Sequence, residues 1–372
     1  MSVGKPGFPI AAVSRGKQVI VGLNETFKVG DHDYSKVSLI PDATLIHYIP
    51  EKEEENEEIV TNNSRCGDWY TGKVYYSVKD MPMEGSTAIR GAAELEKALT
   101  DHYSSDVPAR LSIYADGGGD RKNSNFKVQR GLLGLFHKHD FDEIVAARPA
   151  ANHSFRNPVE RCHCIANIGL QSVGMMRSRQ DSDFEKEMAK CAGNADVNKA
   201  CEGNKSFYDG FIKSLDGPKR LLEEVLGNLY LKDEKFTVLD PADDEEIIEL
   251  EDSLKFIDEN LKEAKSFDDA FKCANFAEFY EKHCISRTYF FQVRKCSDSN
   301  CPYHKPLRGE VSIEAFPDPE PYEENEVVHY RPGSDPAENF LPSKLENPEK
   351  RAHGLPFSPS ARTAANVGFT IR

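Results

Sequence analysis

The chain has 372 residues, 39% of them hydrophobic and 29% charged, with a formal net charge of −15. That length is enough for about two or three domains, and the apolar share supports a real core and excludes global disorder. The acidic balance argues against a general affinity for nucleic acid. No stretch reaches the ~18 apolar residues of a membrane span, and the first residues lack the apolar run of a secretory signal. The expected address is nuclear or cytoplasmic, not secreted. Nine cysteines, an odd number spread along a long chain, do not read as a disulfide framework.

The charge is unevenly placed. Residues 1–180 carry 22 Lys and Arg against 23 Asp and Glu, so nearly all the net negative charge lies beyond them. Within the first part, residues 144–180 are locally basic, with Arg148, Arg156, Arg161, Arg177 and Arg179 against Glu160.

In chain order, residues 8–23 read as a hairpin around Ser14-Arg15-Gly16. A strand or buried segment follows at Val37–Ile40, and residues 51–68 form an acidic, polar loop. Lys73–Val78 alternates like a strand. A helix starts after Ser86 and Thr87, with Ile89, Leu95 and Leu99 on its apolar face. Arg110–Ala115 is a strand that stops at Asp116, and Asp116-Gly-Gly-Gly is a turn. A helix over 123–139 and a short buried strand over 142–147 follow. Asn157-Pro158 opens a helix expected to run to about Arg177, with proline in the first turn. Residues 181–295 look helical. The remainder, with FPDPEPYEENE at its centre, reads as a flexible acidic tail. Alternating strands and helices define an α/β class.

Three groups of residues could carry chemistry. Asp116 ends a buried strand and Glu160 sits in the first turn of a helix. Two such carboxylates can converge on one site and hold Mg²⁺ for phosphodiester chemistry, because the hard ion prefers oxygen ligands and substrate phosphate completes its shell. The plainer reading is a turn-starting Asp and a Glu facing a helix dipole. The second group is Cys296-x4-Cys301-x2-His304, with His283-Cys284 upstream. Cys284, Cys296, Cys301 and His304 would make a Cys3His zinc site, with His283 competing for the fourth place. Against it stands a pair of surface cysteines near a chance histidine. Third, Arg148, Arg156, Arg161 and Arg177 could contact a nucleic-acid backbone, or form a solvated face with salt bridges. Cys162-His163-Cys164 reads as core, Cys191 and Cys201 as free thiols, and Trp69 as packing. The Asp116 turn lacks the Lys and spacing of a phosphate-binding loop.

The stretch YADGGGDRKNSNFKVQRGLLGLF, followed by His153-Ser154-Phe155-Arg156-Asn157-Pro158-Val159-Glu160-Arg161, resembles transposon-derived RNase H-like proteins of invertebrate genomes. The Asn-Pro-x-Glu element also resembles the third acidic position of mariner-like DDE transposases. The resemblance implies an RNase H-like mixed sheet flanked by helices, with Asp116 as the second catalytic acid and Glu160 as the third. It favours zinc for the Cys/His segment.

The family's first Asp would lie on a central strand just before a segment like VGKPGFPIAAV. That segment begins here at Val3, and no carboxylate occurs before Glu25. The implied chain is an RNase H-like domain over 1–180 lacking its first strand, a helical extension over 181–290, a zinc-binding segment over 283–306 and a tail over 307–372. The implied function is that of a degenerate transposase-derived, integrase-like protein, catalytically impaired and binding DNA weakly. Two alternatives stand beside it. One is an acidic scaffold whose charged half binds a protein partner. The other is an active two-metal nuclease or strand transferase, with the missing acid supplied from upstream or by Asp31, Asp33 or Asp42.

Overall fold

The computed structural model describes residues 1–11, 28–29, 37–48, 71–151, 153–309, 315, 317–324, 327–331, 334 and 364–371. The tip of the hairpin expected over 8–23, the acidic loop 51–68, Trp69, Asp31 and Asp33 lie outside these residues.

The fold is mixed α/β. An eight-stranded mixed sheet is flanked by helices on both faces. Its strands are β1 (Leu39–His47), β2 (Gly72–Asp80), β3 (Arg110–Ala115), β4 (Glu143–Ala147), β5 (Thr237–Leu239), β6 (Cys284–Ser286), β7 (Phe290–Arg294) and, after the hairpin β8 (Pro321–Glu324) and β9 (Val327–Tyr330), β10 (Ala364–Ile371). Across the sheet they run β6-β7-β4-β3-β10-β1-β2-β5. β3 is parallel to β4 and to β10, while β10, β1 and β2 pair antiparallel in turn. The sheet therefore does not close within residues 1–180. It draws one edge from 284–294 and its middle from 364–371.

The helices are α1 (Ala88–Tyr103), α2 (Phe126–Lys138), α3 (Val159–Gly169), α4 (Ser182–Lys190), α5 (Asn194–Gly203), α6 (Lys205–Gly227), α7 (Asp244–Asp252), α8 (Phe267–Ala270) and α9 (Ala274–His283). Thr87 caps α1 by accepting the Arg90 N–H, and Asn125 caps α2 by accepting that of Lys127. Each such cap satisfies an amide that the helix leaves orphaned, worth ~1 kcal/mol.

Two apolar cores follow from the two-residue period of the strands. On one face, Leu111 and Ile113 of β3 pack with Leu95, Leu99, Leu132, Phe136, Phe276 and Phe279. On the other, Leu39 and Leu45 of β1 and Val74, Tyr76 and Val78 of β2 pack with Val159, Cys162, Phe211 and Leu222. At roughly 1.5–3 kcal/mol for each large side chain fully buried, these layers drive the fold. Among the described residues, no helix is long and apolar enough to cross a membrane.

Two expectations change. The helix opened by Asn157-Pro158 ends at Gly169, well short of Arg177. Ser172 adopts a left-handed backbone (φ 67°), and Met175 then exchanges backbone hydrogen bonds with Ile10, so the chain has turned into extended pairing. The proline-rich segment is also not wholly a tail. It contributes the β8–β9 hairpin, and Tyr330 Oη donates to the Ala151 carbonyl at 2.9 Å.

Candidate functional site

Asp116 sits at the point where β3 leaves the sheet, and Glu160 in the first turn of α3. Asn157 positions that helix start: it is buried, and its Oδ1 accepts the Val159 N–H at 3.3 Å. Pro158, with φ −59°, fits the helical entry without needing a donor. Burial pushes the Asp116 carboxyl up to about 6; the charges of Asp120 and Glu160 add to this, while the Gly118 N–H and Arg121 oppose it. The fold thus brings the two predicted acids within electrostatic reach.

Asp120, on the same turn, also bears on Asp116, but among the described residues these acids do not gather closely enough to hold an ion. β10 lies beside β3 with Phe369 in register with Ala115, and its eight residues contain no carboxylate. Asp42, on β1, is engaged through Oδ2, while its buried Oδ1 meets no donor among the described residues. Lys79 Nζ donates to it at 2.9 Å and Arg121 Nη2 at 3.0 Å, all three side chains being buried. Burial alone would raise its pKa, but Lys79 and Arg121 outweigh it and hold the carboxyl below its usual value. A metal that took Oδ2 would have to break both ion pairs. The group required for a Mg²⁺ site is therefore not assembled here.

The four arginines divide. Arg156 and Arg161 flank Glu160 and are exposed. Arg148 lies beside the Asp116 turn, with Nη1 3.0 Å from where a Cβ on Gly117 would sit. Its Nε donates to the Thr288 carbonyl at 3.0 Å, and its guanidinium stacks 4.0 Å above the centre of the Tyr289 ring. Arg177 does not belong with them. It is buried, makes two hydrogen bonds of 2.8 and 2.6 Å to the Glu185 carboxylate, and covers the Phe184 ring.

A second centre stands at the sheet edge. His283, Cys296, Cys301 and His304 bring one ligand atom each within 4.8 Å of one another, an arrangement that could hold a metal such as zinc. His283 Nε2 is 3.4 Å from Cys301 Sγ, and His304 Nε2 is 3.3 Å from Cys296 Sγ. A tetrahedral ion with bonds of about 2.0–2.3 Å has ligand–ligand edges of roughly 3.3–3.8 Å, so the spacing fits.

Each ring is oriented by its far nitrogen. His283 Nδ1 lies 2.9 Å from the Arg294 carbonyl and His304 Nδ1 lies 2.8 Å from that of Lys305. A carbonyl can only accept, so each Nδ1 carries the proton and leaves Nε2 to ligate. The Cys296 N–H also points at His304 Nε2 from 3.0 Å, so a bound metal would draw that ring slightly aside. Burial lowers the His283 pKa to about 4, which keeps the ring neutral.

The fourth ligand is therefore His283, not Cys284. His283 closes α9 with its ring stacked 4.9 Å from Phe279, facing the 296–304 loop. Cys284 begins β6, and its side chain packs against the first core, where burial raises its thiol pKa well above normal. Adjacent residues at a helix-to-strand junction point to different sides, which spacing alone does not reveal.

Sequence reasoning missed the β6–β7 hairpin, hidden in a stretch expected to be helical, and with it Tyr289. YFFQVR alternates and is rich in aromatics, a strand signal. It also missed the buried Lys79–Glu94 pair at 2.7 Å. No protein-family model, no curated protein and no solved structure matches the chain.

Proposed function

We propose that this protein is a transposase-derived, RNase H-like domain that binds DNA on the Arg148–Arg156–Arg161 face and is impaired in phosphoryl transfer. The observation that supports it most is that Asp116, at the end of β3, lies within electrostatic reach of Glu160, at the start of α3, with Arg148 beside the Asp116 turn. The strand arrangement agrees with this reading. β2, β1, β10, β3 and β4 form a run with β10 in the middle, the position that the resemblance gives to the acid-bearing first strand. β10 brings no acid of its own, so the residues of that strand do not supply the bridging ligand of a two-metal mechanism.

The test is duplex DNA binding together with cleavage in Mg²⁺ or Mn²⁺. The expected result is binding that weakens steeply with salt, as counterion release requires, is reduced by Arg156→Ala and Arg161→Ala, and is accompanied by no cleavage above background. Robust cleavage abolished by Asp116→Ala would overturn the impairment. Absence of salt-dependent binding would overturn the DNA reading and favour an acidic scaffold.

The metal assigned to His283, Cys296, Cys301 and His304 is Zn²⁺ in a structural role. All four corners are protein ligands of N and S type, leaving no open position for substrate. The segment it would fix is tied down on both sides. Lys295 is buried and pairs with Asp140 at 2.8 Å and Asp142 at 2.9 Å, and Asp142 also accepts the Arg308 and Gly309 amides.

A further inference from the structure

The turn between β6 and β7 already holds an anion. The Thr288 and Tyr289 amides, successive along the chain, donate to the two oxygens of the Asp318 carboxylate at 3.2 and 2.9 Å. Paired backbone N–H groups of this kind form an anion-binding concavity that does not discriminate carboxylate from phosphate. Arg148 stands beside it, because Tyr289, the ring under its guanidinium, supplies one of the two amides. The Arg148 backbone is locked to the same residue, its N–H donating to the Tyr289 carbonyl at 3.1 Å. Asn123, from the loop that follows Asp116, donates to that carbonyl at 3.2 Å. The turn, the arginine and the Asp116 loop are thus one rigid unit. Among the described residues, the terminal nitrogens of Arg148 meet no acceptor, although its Nε does.

The carboxylate comes from an unusual source. Asp318 belongs to FPDPEPYEENE, the most densely acidic part of the segment after the metal cluster. The same segment reaches the loop before α3 farther along, where Tyr330 bonds Ala151 and its ring meets that of His153 edge-on at 4.7 Å. The acidic segment is thus anchored at both the Arg148 turn and the His153 loop.

We propose that the Thr288–Tyr289 turn and Arg148 form a phosphate subsite for the backbone of duplex DNA, and that Asp318 occupies it in cis as a phosphate mimic. The inference rests on the DNA-binding reading above. Binding then requires exchange of one anion for another at the Thr288–Tyr289 turn.

The experiment is fluorescence anisotropy with a short labelled DNA duplex over a range of salt. It compares the wild-type chain, Asp318→Ala, Asp318→Ala with Arg148→Ala, and Arg156→Ala with Arg161→Ala. Circular dichroism checks each variant's fold, and Asp318→Asn replaces the alanine variant if that one is unstable. The expected result is that Asp318→Ala tightens binding by about 3- to 10-fold and steepens the salt dependence by roughly 0.9 in log–log slope, the mark of one added phosphate contact. Adding Arg148→Ala should cancel both changes. Unchanged affinity and slope in Asp318→Ala, with wild-type binding still lost in the Arg156/Arg161 variant, would overturn the subsite and leave the DNA reading intact. Absence of binding in every variant would overturn both.

Discussion

Lys79 of β2 and Asp42 of β1 meet at 2.9 Å across neighbouring strands, with neither side chain meaningfully reached by water. Glu94 of α1 takes a second hydrogen bond from the same ammonium at 2.7 Å, and Arg121 joins from the loop after Asp116. Burial and the Asp42 charge, opposed by Lys79, push Glu94 up to about 8, so it is largely protonated at neutral pH. Its ordinary value is 4.5. A carboxyl whose pKa is higher in the folded state stabilises the fold below the unfolded value, and the benefit falls as pH rises from about 4.5 to about 8. Urea unfolding at pH 5 and pH 8 should show a decline that is shallower in Glu94→Gln. An identical pH profile in the variant would refute the assignment.

Removing Lys79 tests the same cluster from the cationic side. Lys79→Met should cost about 3–5 kcal/mol, because it leaves buried carboxyls without their main partner. Denaturant unfolding reads this directly, and a loss under 1 kcal/mol would show that Arg121 alone suffices.

Gly91 offers a reversal of the usual helix rule. Replacing a mid-helix glycine by alanine ordinarily stabilises by roughly 0.5–1 kcal/mol. Here a Cβ would lie 1.8 Å from Arg121 Nη1 and 2.3 Å from its central carbon. Gly91→Ala should therefore lower the melting temperature by pushing the guanidinium off Asp42. A rise would mean that Arg121 moves without cost.

The metal cluster predicts a specific pattern of ligand loss. The purified protein should carry about one zinc per chain, the expectation for one four-ligand site. Chelation should lower its thermal midpoint. His283→Ala and Cys301→Ser should lose the metal, while Cys284→Ser should keep it. Metal analysis of the three variants decides between His283 and Cys284 without any activity assay.

Asp116 supplies a further pH test. Its carboxyl is raised from 3.8 to about 6 mainly by burial, so ionisation at neutral pH works against the fold. Asp116→Asn should stabilise by about 1 kcal/mol near pH 7.5, and the gain should vanish near pH 4. Destabilisation at pH 7.5 would mean that the charged form is held by a partner.

The parts of the fold that were legible in the sequence are those with a local signal. Arg110–Ala115 was bounded by a turn-forming Asp-Gly, and the helix after Thr87 by its cap and apolar period. The positions of Asp116 and Glu160 followed from these elements. What stayed hidden depends on distant pairing. Whether His283 or Cys284 faces the loop is set by how α9 hands over to β6. Arg177 looked like its basic neighbours until Glu185 and Phe184 closed around it. Nothing local in residues 364–371 announces a place between β1 and β3.

That last placement bears on how the molecule is made. The strand that joins the two halves of the sheet is synthesised more than two hundred residues after β4. At about 5–20 residues per second, a ribosome leaves the facing edges of β1 and β3 without their partner for roughly ten seconds or more. Exposed strand edges invite pairing with other chains. A nascent copy of this protein therefore carries two open strand edges through that interval, until β10 arrives.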